Sequence, residues 1–523
     1  MHNLDLIHAV AADHPDRVAV VFNNKPLSFS AFYRSILSTR RFLETHRPRA
    51  GAIAVIWNDN ILESWCLDFA LRSLGLLTAS VQTAPEVAHF ADSAVACVVT
   101  TYAQAAASNL DVTTLPLAAP VICVPAEAFA PGDLDAPLPP PPQGPTDLGH
   151  LLLTSATTGV YKKVWLRPTI SVEQIEAGIE EYRRRQVDVG KDGERVLSLV
   201  NLGLWTASGY GPAISMWITG NAVSIFQHPD LWRAFDYPGL THAMVTPGFL
   251  YDLMRLPPER PTSHPNLTLL VVGGSMSMKL AREVRERVTP RLVSTLGSTE
   301  GGMWAITPLQ TDEDLRFHKI NPTRELQVVD EDDQPLPAGH LGRLRVRIEA
   351  DGAQSYYDDE EATAACFRDG WFYPGDLAIA RDDGRISLHG RVTDIISIEG
   401  YKVAAEPIER ALQERLNVDS ACVFSMWGTE AEELHVVLQT NRPIPPEALA
   451  EAIQASLRGF PRAHVHFVED IPRNHMGKIR RLALKQMLME RDGVKVPAGA
   501  PATTPDVARP PASSSSGVSP EDP

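Results

Sequence analysis

The sequence predicts an α/β protein. A large N-terminal domain of parallel-rich sheets packed with helices, carrying a β-rich subdomain, precedes a small α+β C-terminal domain. Three observations predict this. Apolar runs of strand length alternate with segments of helical periodicity up to about Gly302. From Leu341 to His389 the text turns strand-rich with turn signals, as in GRLRVRIEADG and RDDGRISLHG. At 523 residues the chain is also too long for one ordinary core.

LSFSAFYRSILSTRRFLETH opens on serines and then repeats apolar residues at helical spacing, so a helix is expected. GAIAVIWN reads as a buried strand, ILESWCLDFALRSLG as a helix, and LLTASVQ as another strand. ACVVTTYAQAAA and APVICVP continue the alternation, which implies a largely parallel sheet with helices on its faces. The proline-rich APLPPPPQGP can be neither helix nor central strand, and it separates this part from TDLGHLLLTSATTG. Strand patterns resume in RVLSLV, AVSIFQ, HAMVT and LTLLVVGG. Beyond Gly390, AAEPIERALQERL is an amphipathic helix, ELHVVLQT a strand and KIRRLALKQMLMERDG a basic helix. The expected division is 1–389, 390–491 and a Pro/Ala/Ser-rich tail, 492–523, expected to be disordered.

The formal charge of -16 argues against a general nucleic-acid or anionic-membrane binder, while leaving room for a local basic pocket. Five cysteines are scattered without CxxC pairing, which fits a reducing compartment and offers no zinc site. MHNLDLIHAVAADHPDR carries acids early and no long apolar core, so no secretory signal is expected. No apolar run is long enough to span a membrane. A soluble, cytoplasmic protein is the expectation.

Four stretches carry chemistry. In LLLTSATTGVYKKV an apolar run stops at hydroxyls, a glycine and two lysines. Backbone amides, the hydroxyls of Thr154, Ser155, Thr157 and Thr158, and an ammonium could together cradle phosphate. The same stretch also reads as a polar hairpin turn between strands, and GxxxxGK[ST] is absent. LVVGGSMSMKL and LVSTLGSTEGGMW each end an apolar run at glycines and hydroxyls (Gly274, Ser275, Gly297, Ser298), as strands do at a ligand crevice. Glu300 follows the second, where a carboxylate could hold Mg²⁺ beside phosphate oxygens or simply face solvent. In GWFYPGDL, Asp376 after a Pro-Gly turn could accept both hydroxyls of a ribose, or serve only the turn. Arg391 is a donor to ribose or phosphate, or a surface arginine, and IPRNHMGKIRR places Lys478 on a glycine-containing loop.

Taken in order, these stretches resemble the adenylate-forming superfamily of acyl-CoA synthetases, luciferases and peptide-synthetase adenylation domains. The resemblance spans roughly Leu6 to Arg491, from AADHPDRVAVVFNNKPLSFSAF through LGSTEGG, GWFYPGDL and GRVTDIISIEGYKVAAEPIE to IPRNHMGKI. It implies activation of a carboxylic acid by ATP to an acyl-adenylate with release of pyrophosphate, then transfer to a thiol, with CoA ahead of a carrier-protein phosphopantetheine. It implies that Thr154, Ser155, Thr157, Thr158, Gly159 and Lys162 hold the β- and γ-phosphates. Glu300 would ligate Mg²⁺, Thr299 touch the α-phosphate, and Asp376 bind the ribose with help from Arg391. Lys478 would be the catalytic lysine of a mobile C-terminal domain hinged at Thr393. The chemistry needs such a cation, because two anions must meet as carboxylate approaches α-phosphate.

The chain departs from the family pattern at several positions. Ala156 stands for a glycine, Tyr161 for a proline, Lys163 for a glycine, Thr206 for a histidine, and Thr393 for the hinge Asp or Lys. Leu296 replaces the aromatic that usually stacks on adenine. These changes leave open a degenerate member that binds nucleotide without catalysis, although Lys478 is retained. No aspartate lies in NLGLWTASG to pair with an α-amino group, so a non-amino carboxylic acid is expected. Trp205, Gly274, Met303 and Trp304 are candidates for the acyl pocket or for core packing, and Lys478, Arg480 and Arg481 form a basic cluster for the acceptor's phosphates.

Overall fold

The computed structural model describes residues 3–109, 115–155, 161–168, 195–228, 230–257, 259–260, 263–274, 276–349, 352–392, 395–398, 401–425, 434–456, 463–473 and 478–491. The helix expected in LSFSAFYRSILSTRRFLETH forms as Phe29–Thr45. The Ser28 hydroxyl caps it by accepting the Ala31 amide at 3.2 Å, satisfying one of the unpaired N–H groups of the first turn. Phe29, Phe32, Tyr33, Ile36, Leu37 and Leu43 put its apolar stripe into the core.

Two sheets form the large part of the molecule. In the six-stranded one the order is Val121–Val124, Val95–Thr101, Ile53–Trp57, Leu77–Val81, His150–Ser155, Tyr161–Leu166. All its neighbours are parallel except the last pair, an antiparallel hairpin. The eight-stranded sheet has a parallel interior and an antiparallel strand at each edge, Gly302–Pro308 and Lys25–Ser28. Helices Phe29–Thr45, Ile61–Ser73 and Ala207–Ile218 lie between the two sheets. One hydrophobic cluster joins them to Ala54, Ile56 and Val99 of the first sheet and Val20, Val223 and Ile225 of the second. The expectation of parallel-rich sheets packed with helices is therefore met, since apolar strands of this kind need covering elements.

Within that layer sits a closed polar network. Arg72 binds Asp147 through two hydrogen bonds, at 2.8 and 2.6 Å, and reaches Asp68 at 3.3 Å and the Tyr210 hydroxyl at 2.6 Å. Asp68 also accepts from Thr78 at 2.6 Å and faces His150 Nδ1 at 3.0 Å. Burial alone would raise the Asp68 carboxyl, but His150, Arg72 and Thr78 together hold it below its ordinary value.

An antiparallel sheet follows, in the order His318–Lys319, Arg385–Arg391, Asp376–Ala380, Leu341–Arg347, Trp371–Phe372, Phe367–Arg368, with Leu326–Val329 also on Leu341–Arg347. Its strand Arg385–Arg391 continues past residue 389 and so carries Arg391. A three-stranded sheet, Ser420–Ser425, Leu434–Gln439 and Ala463–Val468, packs with helices Ala405–Leu416 and Pro446–Ser456 around a hydrophobic cluster of its own. This α+β unit contacts the larger part through surface pairs. Lys279 meets Asp419 Oδ1 at 2.6 Å, the Tyr251 hydroxyl donates to the Asp419 carbonyl at 2.6 Å, and Arg316 meets Glu414 at 2.6 Å. No helix among the described residues is long and apolar enough to cross a membrane. The tail 492–523 lies outside the described residues.

Candidate active site

The stretch LLLTSATTGVYKKV forms the hairpin that its alternation allowed, His150–Ser155 against Tyr161–Leu166. Thr154 stands directly opposite Lys162 in the register. Ala156, Thr157, Thr158 and Gly159 lie outside the described residues, as do Ser275 and Thr393. Thr154 and Ser155 end a strand that runs parallel to Leu77–Val81, and the glycine-hydroxyl stretches follow strands Thr268–Val271 and Leu292–Ser298 of the other sheet. Both sheets thus bring carboxyl ends of parallel strands to the motif residues, where open α/β sheets bind ligands.

Glu300 is where the two sheets meet. Its Oε1 accepts the Thr154 hydroxyl at 3.3 Å and the Tyr356 hydroxyl at 2.9 Å. Lys162 places its ammonium 4.6 Å from the centre of the Tyr356 ring, and 3.5 Å from Cys366 Sγ. Tyr356 and Cys366 were not anticipated from the sequence. Their only trace there is a tyrosine pair before the acidic helix start in SYYDDEEATAACF, a pattern that turn and cap chemistry explains as well. Burial first, and then the Glu300 charge, push the Tyr356 hydroxyl far above its ordinary pKa, which keeps it a donor.

Gly297 is a glycine for a steric reason, since a Cβ there would come within 2.3 Å of the Gly302 carbonyl across the bulged pair of strands. Ser298 turns back to accept the Gly301 amide at 3.0 Å, shaping the loop that carries Thr299 and Glu300. Leu296 is half-buried and packs against the cluster that contains Trp304, Phe372 and Ala378.

Asp376 and Arg391 face each other across neighbouring strands, with Nε 2.9 Å from Oδ1. Gly375 before the aspartate has φ +82°, a left-handed turn that glycine adopts without strain. Arg391 also donates to the Pro374 carbonyl, so the pair and the turn lock together.

Lys478 joins this constellation. It lies just before the helix Arg481–Arg491, beside an isolated bridge between Arg473 and Ile479. The residue keeps solvent exposure overall, yet its ammonium lies within electrostatic reach of Arg391, Asp376 and Glu300. Desolvation of the ammonium, and then Arg391, lower its pKa, while Asp376 and Glu300 oppose them. The structure thus links Thr154, Lys162, Glu300, Asp376, Arg391 and Lys478 through contacts and electrostatic reach.

Three expectations are refined. Thr206 is spent on folding: its hydroxyl caps Ala207–Ile218 by accepting the Gly209 amide at 3.0 Å. Trp304 is 3% exposed inside the β-rich core, the packing alternative rather than a pocket wall. Arg481 leaves the basic cluster, because it pairs with both oxygens of Glu409 at 2.9 and 3.0 Å.

Glu300 and Thr154 offer hard oxygen donors. Among the described residues no group of three or more His, Cys, Asp or Glu gathers as a metal cage. This donor set fits Mg²⁺, which takes one or two carboxylates and fills its octahedron with phosphate oxygens and water.

A family model for AMP-binding enzymes matches residues 7–357, and the chain belongs to that family. It is 30% identical over 257 residues to the medium-chain fatty-acid–CoA ligase of Escherichia coli K12, a match covering 46% of this chain and 44% of that protein. Against the 2,3-dihydroxybenzoate-AMP ligase of Bacillus subtilis 168 it is 26% identical, covering 93% of this chain and 94% of the relative. The structure of Bacillus subtilis O-succinylbenzoate coenzyme A synthetase, in complex with ATP and magnesium ion, superposes with a TM-score of 0.74 at 20% identity. That match covers 92% of this chain and 99% of the other, and it shows the shared fold.

Proposed function

We propose that this chain is an AMP-forming acid–thiol ligase. In the first step a carboxylate oxygen of the acid bonds to the α-phosphorus of ATP, and the bond from that phosphorus to pyrophosphate breaks. In the second a thiol sulfur bonds to the acyl carbon, AMP leaves, and the thiol proton passes to solvent. The observation that carries the reading is the gathering of Thr154, Glu300 and Tyr356 beside the Asp376–Arg391 pair, with the ammonium of Lys478 within electrostatic reach of Glu300, Asp376 and Arg391. In this reading the Lys478 cation sits where two anions must be brought together, and fixed charge of this kind stabilises the charge that develops during transfer.

Each residue has work in this reading. Thr154, Ser155, Thr157, Thr158, Gly159 and Lys162 hold the β- and γ-phosphates, and Thr299 the α-phosphate. Asp376 accepts the ribose hydroxyls, kept in place by Arg391. Glu300 holds Mg²⁺, which supplies further positive charge at the phosphates. The part of the chain beyond Arg391, hinged at Thr393, acts as the unit that brings Lys478 in and withdraws it before the thiol step. The substrate is a simple or aromatic carboxylic acid, supported by Thr206 capping a helix where an amine-pairing carboxylate would otherwise be sought. The acceptor is CoA, and the free thiols of all five cysteines fit a cytoplasmic setting.

ATP–pyrophosphate exchange across a panel of acids tests the reading. Simple or aromatic acids should stimulate exchange above every α-amino acid, and adding CoA should yield the thioester and AMP. Exchange with a proteinogenic amino acid alone would overturn the acid class. Transfer to a carrier protein but never to CoA would overturn the acceptor. ATP binding without exchange for any acid would leave a nucleotide-binding protein.

A further inference from the structure

We propose that Tyr356 is a positioning residue for the metal-binding carboxylate of Glu300, and that its ring couples that carboxylate to Lys162. This rests on the reading of Glu300 as the Mg²⁺ ligand. Tyr356 is 5% exposed and held from several sides. Its backbone makes an isolated bridge to Val164 on the second strand of the phosphate hairpin, and its amide donates to Thr363 Oγ1 at 3.0 Å. Its ring meets Phe367 edge-on with centres 5.3 Å apart. A ring fixed in this way aims its hydroxyl at a fixed point, which is Glu300 Oε1 at 2.9 Å.

The second donor, Thr154 Oγ1, reaches the same oxygen. Among the described residues neither hydroxyl reaches Oε2. One oxygen is therefore held by two donors, and neither of these hydroxyls occupies the other. Without the tyrosine hydroxyl the carboxylate would turn about its terminal torsion, whose preferences are broad. Partners of this kind, which hold a ligand group without touching the metal, commonly change metal affinity by about 10–100-fold. The face of the same ring receives the Lys162 ammonium at 4.6 Å, an attraction to the negative π-surface. Tyr356 thus sets the spacing between the cation assigned to the terminal phosphates and the carboxylate assigned to the metal.

Tyr356→Phe isolates the hydroxyl, because the ring, its contact with Phe367 and the surface under Lys162 all remain. Mn²⁺, a paramagnetic stand-in for Mg²⁺, can be titrated into the full-length protein with a non-hydrolysable ATP analogue while its resonance signal is followed. The variant should bind Mn²⁺ roughly tenfold more weakly, with unfolding temperature and analogue affinity at saturating metal close to wild type. In turnover, the Mg²⁺ activation midpoint should rise by a similar factor, and kcat should recover at high Mg²⁺. Glu300→Gln runs in parallel. If Glu300→Gln weakens Mn²⁺ binding and Tyr356→Phe does not, the positioning role is wrong and the metal assignment stands. If neither variant changes Mn²⁺ affinity, both fall. A Tyr356→Phe protein that loses thermal stability and analogue affinity while keeping its Mn²⁺ affinity would show a merely structural tyrosine.

Discussion

The strand His150–Ser155 begins in one charged cluster and ends at another, and the two differ in one respect. At its start, His150 joins Asp68, Arg72, Asp147, Thr78 and Tyr210. At its end, Thr154 joins Glu300, Tyr356 and Lys162, with Lys478 within electrostatic reach of Glu300. Each cluster has a carboxylate, a tyrosine hydroxyl, a threonine hydroxyl and a cation. In the first, both oxygens of both aspartates have partners, and Asp68 and Arg72 are 0% and 2% exposed. In the second, both hydroxyls meet one oxygen of Glu300, and besides Lys162 a further cation, Lys478, comes within electrostatic reach from far along the chain. In the proposed reading, the same side-chain chemistry makes scaffold where every bond is closed and a site where one is left for a ligand.

Removing the cation from each cluster tests that contrast. Arg72→Leu leaves Asp68 and Asp147 buried without their partner, so unfolding free energy should fall by roughly 3–5 kcal/mol, measured by denaturant titration. A variant as stable as wild type would mean that the network is not scaffold. Lys478→Ala should do the opposite. Adenylate formation should drop by about 10²–10³-fold while the unfolding temperature stays near wild type. Acyl transfer from chemically made acyl-adenylate should also survive. Equal activity in pyrophosphate exchange would remove Lys478 from the mechanism.

A smaller effect sharpens the open side. Glu406 is pushed up from 4.5 to about 7, by burial first, and then by Glu409 and Asp376, with Arg410 and Arg481 opposing. Its folded value lies above its unfolded one. The stability it contributes is therefore full below about pH 4.5 and is lost as pH rises towards 7. Glu406→Gln should flatten that part of the stability–pH curve, and an unchanged curve would show that Glu406 is an ordinary surface acid.

The sequence carried the fold where local rules govern it. The strands in GAIAVIWN and LLTASVQ, the capped helix at Phe29 and the parallel interior of both sheets follow from alternation, caps and apolar runs. The approach of Thr154 to Glu300 was reached only through the order of the motifs, because 146 residues separate them and no periodicity encodes a contact across two sheets. Tyr356 was hidden for the same reason, since its meaning lies in the partner of its hydroxyl. Arg72 was also silent. In ILESWCLDFALRSLG it reads as one polar residue on an apolar helix, and only the buried Asp147, beyond the proline-rich connector, shows what it is for. Arg481 misled, because a positive charge beside Lys478 looks like ligand chemistry until Glu409 is found against it.

The register of the phosphate hairpin has a thermodynamic consequence. Thr154 and Lys162 are direct cross-strand partners, and the ladder runs from His150↔Leu166 to Ser155↔Tyr161. Their relative position is settled when the sheet forms, so the entropy of bringing a hydroxyl and an ammonium to one place is lost during folding. In the proposed reading, a phosphate bound between them would not have to order them again, and more of its interaction energy would appear as affinity. A one-residue slip in the pairing of Tyr161–Leu166 with His150–Ser155 would turn Lys162 to the opposite face from Thr154. The tolerance of this hairpin to insertion or deletion is thus set by the parity of a strand.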